Sequence, residues 1–91
     1  MPSHKRLADL NNLNEDFESR LLEVGIATPA DLKKVGPVKA YRMVKDLHPK
    51  ETDLVFLYSL QGALWDMHWN TLPKETRDKL RADSLSILDL S

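Results

Sequence analysis

The stretch Asp53–Trp69, DLVFLYSLQGALWDMHW, constrains this chain more than any other part of it. Read as one helix it extends about 25 Å, with Leu54, Val55, Phe56, Leu57, Tyr58, Leu60, Ala63, Leu64, Trp65, Met67 and Trp69 on nearly every side. A helix apolar all round is a buried helix. A membrane span is excluded because Gln61, Asp66 and His68 interrupt the stretch short of the ~20 apolar residues a bilayer needs. The expectation is therefore a core helix over residues 53–69, with Trp65 and Trp69, at i and i+4, inside the core. Gly62 costs that helix roughly 0.5–1 kcal/mol relative to Ala, which predicts another helix crossing closely at that point.

The rest of the chain reads as wrapping. Residues 1–6 form a polar tail, after which Leu7, Ala8 and Leu10 suggest a short helix capped by Ser3. Leu10-Asn-Asn-Leu-Asn14 reads as a tight turn, since Asn tolerates the left-handed backbone, and Asn14 is a fitting N-cap for a helix that presents Phe17, Leu21 and Val24 inward. Gly25 stops it. Thr28-Pro29-Ala-Asp31 then opens a short helix with a Thr cap, Pro at the first position and an acid at the third. That helix turns Leu32 and Val35 inward and ends at Gly36. Pro37 starts the next, with Ala40, Tyr41, Val44 and Leu47 as its inner face, and Pro49 ends it. Thr52 is placed to cap the core helix. Asn70-Thr-Leu-Pro73 breaks it and opens a final helix with Leu80 and Leu85 inward, followed by the apolar end Leu85, Ile87, Leu88 and Leu90. The fold class expected is all-α: one domain over residues 7–91, a bundle of about five helices.

With 91 residues there is room for one modest core. The absence of cysteine removes disulfides and thiolate metal sites and fits a reducing, cytoplasmic setting. MPSHKR lacks the apolar core of a signal peptide, so a soluble, unexported protein is expected. His4, His48 and His68 are too scattered for a recognisable metal spacing, no Gly-rich phosphate loop is present, and no Ser or carboxylate pair has a positioned base. His68 reads as a buried or half-buried side chain bonded to backbone. The expectation is no enzyme and no cofactor. Charge is the one uneven feature: the formal net is −1, yet residues 31–50 hold six basic side chains against two acidic ones. Lys39, Arg42 and Lys45 lie three apart and so share one helix face, either a solvated surface or a contact surface for phosphate or an acidic partner.

Four motifs at these spacings, Gly25-Ile26-x-Thr28-Pro29-x-Asp31-Leu32, Gly36-x-Val38-x-Ala40-Tyr41, Leu57-Tyr58-x-Leu60-x-Gly62-Ala63-Leu64 and His68-Trp69-Asn70-x-Leu72-Pro73, are similar to the C-terminal domain of TfoX-type proteins. Those proteins are regulators linked to bacterial competence for DNA uptake. The resemblance spans roughly residues 7–82 and implies a helical fold whose N-terminal half is helix-hairpin-helix-like. Such hairpins bring backbone N–H groups to a nucleic-acid phosphate. The family's LPNLG-like hairpin stands here as Leu10-Asn11-Asn12-Leu13-Asn14, with Asn in place of the Pro and of the closing Gly. The N-terminal domain of longer family members has no counterpart in these residues. What the resemblance implies is a non-enzymatic regulatory interaction module whose main partner is a protein, with weak nucleic-acid contacts in second place. The contact residues expected are Asn12, Asn14, Lys33, Lys34, Lys39, Arg42 and Lys45, extended by Lys5 and Arg6. The alternative is a dedicated helix-hairpin-helix DNA-binding protein, against which the near-neutral charge speaks, since a DNA binder of this size is normally basic. Homodimerisation through the apolar C-terminal tail is a further expectation.

Overall fold

The computed structural model describes residues 6–90, and the side chains of residues 6–85. Ser3, His4 and Lys5, the 1–6 tail apart from Arg6, and the side chains of Ile87, Leu88 and Leu90 lie outside the described residues. The architecture is all-helical: a 3₁₀ turn at Leu7–Asp9, α1 at Glu15–Glu23, α2 at Pro29–Val35, α3 at Pro37–Leu47, α4 at Leu54–Leu64, a 3₁₀ turn at Trp69–Thr71 and α5 at Lys74–Leu90. Among the described residues α4 is the hub. It packs against α2, α3, α5 and the 69–71 turn, while α1 packs on α3 and on the 7–9 turn. Phe56, Leu57, Leu60 and Ala63 of α4 are buried against Leu21, Ile26, Leu32, Ala40, Val44 and Leu80. Phe56 meets Phe17 of α1 edge to face at 4.8 Å, a geometry that adds about 0.5–1.5 kcal/mol to the burial itself.

Where a helix boundary is written in local chemistry, the backbone obeys it. Val24 caps α1, Gly25 follows at φ +87°, and the Ile26 and Gly25 N–H groups close on the Leu21 and Leu22 carbonyls at 2.9 and 3.0 Å. The buried Ile26–Leu21 pair completes this C-terminal cap. Thr28 Oγ1 accepts the Asp31 N–H at 3.1 Å, and Asp31 returns the bond by accepting the Ala27 N–H at 3.1 Å. Gly36, at φ +91°, turns the chain from α2 into α3 with Pro37 in the first helical position.

Several expectations need correction. The core helix ends at Leu64 rather than Trp69: Asp66 takes φ +56°, and the Met67 and Asp66 N–H groups bond the Gly62 and Ala63 carbonyls at 2.9 and 3.3 Å. This is the same cap as on α1, with Asp doing the work that Gly usually does. Its N-cap is Asp53, whose carboxylate accepts the Phe56 N–H at 3.3 Å; Thr52 is instead buried. Leu47 and Leu85 are 55% and 54% exposed, not inward: Leu47 is the last residue of α3, and on α5 it is Leu80 and Ser84, one turn apart, that are buried. Gly62 is a close-approach site, but no helix crosses it. A methyl there would overlap Asn12 Nδ2 and stand 2.6 Å from the Met67 carbonyl oxygen and 3.3 Å from the Trp69 Cα.

The 48–52 connection is held by charged groups from two helices. Lys45 Nζ donates to the Pro49 and Thr52 carbonyls at 3.0 and 2.6 Å, and Arg20 of α1 donates to the Glu51 carbonyl at 3.1 Å. His48 sits between two carboxylates, Nε2 at 2.9 Å from Glu23 and Nδ1 at 3.3 Å from Glu51. The hydrogen bond to Glu23 raises its pKa, with Glu51 adding to the effect and partial burial opposing it.

Two outcomes follow from this packing. Gly62→Ala should lower stability by roughly 1–3 kcal/mol through overpacking, although helix propensity alone favours Ala by about 1 kcal/mol; a thermal melt gives the sign directly, and a stabilised variant would refute the close approach. For His48 a raised folded pKa means a contribution complete below the unfolded value of about 6.5 and lost as pH rises through the folded pKa. The melting-temperature gap between the parent and His48→Gln should be wider at pH 6 than at pH 9, and an equal gap would show that the imidazolium is not what braces the loop.

Candidate functional site

In the hairpin expected to approach phosphate, the Asn12 side chain is turned inward, while Asn11 and Asn14 are exposed. Asn12 adopts φ +73°, the left-handed backbone that Asn tolerates, and this directs its amide at the end of α4. Nδ2 donates to the Met67 carbonyl at 2.9 Å and more weakly to the Ser59 carbonyl at 3.4 Å, while Oδ1 accepts the Trp69 N–H at 3.1 Å. Asn11 adds a bond from its Nδ2 to Asp66 Oδ1 at 2.8 Å. Asn14 is the N-cap of α1, accepting the Phe17 N–H at 2.9 Å. Arg6, next to the hairpin, donates to Glu18 at 2.6 Å and so holds that carboxyl below its ordinary pKa.

The basic residues divide into two sets. Lys33, Lys34 and Lys39 are exposed, on either side of the Gly36 turn. Arg42 has only 18% of its side chain exposed, with Nε 3.6 Å from Asp46, and Lys45 is spent on the two loop carbonyls described above. The common outer face of α3 therefore does not form. Three-residue spacing does align Lys39, Arg42 and Lys45 along the helix, but α3 is contacted by α1, α2, α4 and α5, so little of it is an outer face.

A different feature stands at the same C-terminal end of α4, on its outer side. Because the helix stops at Leu64, Trp65 becomes its C-cap and is 53% exposed, not buried as expected. Beside it runs an open groove of about 380 Å³ lined by Pro37, Val38, Trp65 and Leu80, with Lys79 and Asp83 of α5. The backbone under Trp65 is fixed by the helix cap and by Asn12. Trp69, half-buried, stacks on Tyr58 with ring centroids 6.2 Å apart. His68 is exposed rather than buried, and its Nδ1 accepts the Asn70 N–H at 3.2 Å as cap of the 69–71 turn. Among the described residues no cluster of His, Asp and Glu fits a metal ion, and no helix is long and apolar enough to cross a membrane. The groove had one signal in the sequence: an Asp directly after the second of two large apolar residues, able to take the left-handed backbone and end the helix.

Residues 3–84 match the family model described as the TfoX C-terminal domain. The chain belongs to the TfoX C-terminal domain family. Two crystal structures from Listeria monocytogenes share the fold. The triclinic form of an uncharacterised protein superposes with a TM-score of 0.84 at 28% identity, covering 91% of this chain and 93% of that one. The tetragonal form of a protein of unknown function gives 0.75 at 28% identity, covering 88% and 98%. No curated protein matches the chain.

In this TfoX C-terminal domain the Asn12 amide acts as donor and acceptor at once, which predicts an order among its variants. Asn12→Gly relieves the left-handed backbone but removes the bonds, a net loss of about 1–3 kcal/mol. Asn12→Asp should be worse at neutral pH, since a carboxylate would face the Met67 and Ser59 carbonyls with no proton to give. Urea denaturation of both variants checks the order; Asn12→Asp as stable as Asn12→Gly would show that the donor half of the amide is idle.

Proposed function

We propose that this TfoX C-terminal domain is a non-enzymatic regulatory module, of the kind that serves competence regulators, and that it acts through protein contacts made at the Trp65 groove. The observation that carries the reading is the exposed indole at the cap of the helix that supplies the largest share of the core. Trp is the residue most enriched where binding energy concentrates at protein interfaces, and here it borders an apolar groove whose edge carries Lys79 and Asp83. Exposing so large an apolar surface on a rigid cap does nothing for the fold of the single chain. Its use is in contact.

Weak nucleic-acid binding is the second reading, favoured by the exposure of Lys33, Lys34 and Lys39 around the Gly36 turn. Of the other cations expected to make contacts, Arg6, Arg42 and Lys45 have partners within the domain. One experiment separates the two readings. Tagged parent, Trp65→Ser and Lys33→Glu/Lys39→Glu proteins are used to capture partners from native extract with and without nuclease. The protein-contact reading expects a partner that survives nuclease, is retained by the lysine variant and is lost with Trp65→Ser. Loss on nuclease treatment and in the lysine variant, with Trp65→Ser unaffected, would transfer the function to nucleic acid.

A further inference from the structure

We infer that the Trp65 groove is the meeting face of two copies of this chain, with α5 packed antiparallel on α5 about a two-fold axis; the inference rests on the protein-contact reading above and names its partner. The stripe of α5 that faces the groove includes Lys79, Leu80 and Asp83. Lys79 and Asp83 are one helical turn apart, and neither makes an ion pair with another described residue. A stripe with a cation one turn before an anion is complementary to its own antiparallel copy. With the axis passing near Arg81, each Lys79 faces the Asp83 of the other copy, and symmetry makes two such pairs from one arrangement. Any other occupant would have to supply an anion and a cation in matching order, which a second copy does by construction.

The apolar part of the face agrees with this. Leu80 is nearly buried, Val38 and Pro37 are half-buried, and Trp65 stands 53% exposed beside them, so a two-fold axis brings two indoles and two leucine-lined walls into one contact. That is the anatomy of an interface centre, apolar with a charged edge. A formal net charge of −1 per chain opposes the approach of two copies very little. Asp83 in the groove, by contrast, is ill suited to a phosphate backbone. The charged edge sets register and excludes wrong partners, while the indoles carry the affinity.

Sedimentation equilibrium of the full chain from micromolar to millimolar concentration tests the inference, with circular dichroism melts to establish that each variant is folded. A concentration-dependent dimer is expected. Trp65→Ser should raise its dissociation constant about thirtyfold or more, as loss of an interface anchor does. Lys79→Glu should weaken it several-fold by setting like charges opposite each other, and Lys79→Glu combined with Asp83→Lys should restore it. A parent that is monomeric at every concentration overturns the inference, as does a dimer indifferent to Trp65→Ser and to the charge exchange, which must form elsewhere on the surface. A monomeric parent that still captures a partner through Trp65 overturns the dimer alone and leaves the protein-contact reading standing. Absence of both removes the two together.

Discussion

One side-chain amide holds the two halves of this domain in register. Asn12 lies in a turn at the N-terminal end, yet its bonds go to Met67, Trp69 and, at longer range, Ser59. The segment that leaves α4 has a carbonyl and an N–H group, those of Met67 and Trp69, that the helix itself does not pair, and partly buried backbone groups of this kind need partners. Asn12 answers one of each, in the left-handed backbone that only Gly and a few polar residues adopt readily. For the amide to reach the helix end, α4 must have no side chain at position 62, and so Gly62 is tied to Asn12 though the two lie far apart in sequence. The 69–71 turn follows from the same contact. With the Trp69 N–H fixed on Asn12, the indole is held where it stacks on Tyr58.

How much of this was legible in the sequence depended on whether the deciding chemistry was local. Thr28-Pro29, Gly25, Gly36-Pro37 and Pro73 each carry their instruction within four residues, and the helices they bound are where the pattern puts them. The end of α4 was not legible. Apolar residues continue through Trp69, no Gly or Pro intervenes after Gly62, and the terminating residue is Asp66, whose left-handed backbone is supported by an Asn11 bond from across the fold. Gly62 was recognisable as a close-approach position but its partner was not, because a mid-helix Gly states that something comes near without stating what. Thr52 and Asp53 are adjacent residues that can both cap a helix, Asp somewhat better than Thr. The packing that buries Thr52 adds to that preference and leaves the cap to Asp53.

The cations show the same limit. Composition and spacing picked out a basic segment, and the residues are where helical periodicity places them along α3. Periodicity gives direction relative to the helix axis; it does not give the number of neighbours. With helices on several sides, Arg42 meets protein and Lys45 curls onto the carbonyls of the next loop. A hydrogen bond from a charged donor is worth about 1.5–3 kcal/mol, whereas an exposed charge on a near-neutral protein contributes little to attracting polyanions across a Debye length of about 8 Å. The basic segment is thus largely structural at its C-terminal end. Its exposed remainder is the Gly36 turn together with Lys50.

The position of Trp65 follows from these constraints rather than from any preference of its own. Had α4 run on as its apolar pattern suggests, Trp65 and Trp69 would lie one turn apart on the same side of one helix. The cap at Asp66 separates their fates: Trp69 is drawn back under Asn12 onto Tyr58, and Trp65 is left at the rim between α3 and α5. A surface indole on a mobile loop would lose conformational freedom on binding and return part of the contact energy as entropy. Here the backbone beneath it is already held by two cap bonds and by a neighbouring Asn, so little of that cost remains. The interaction that closes the core at the C-terminal end of α4 therefore also preorganises the apolar face beside it.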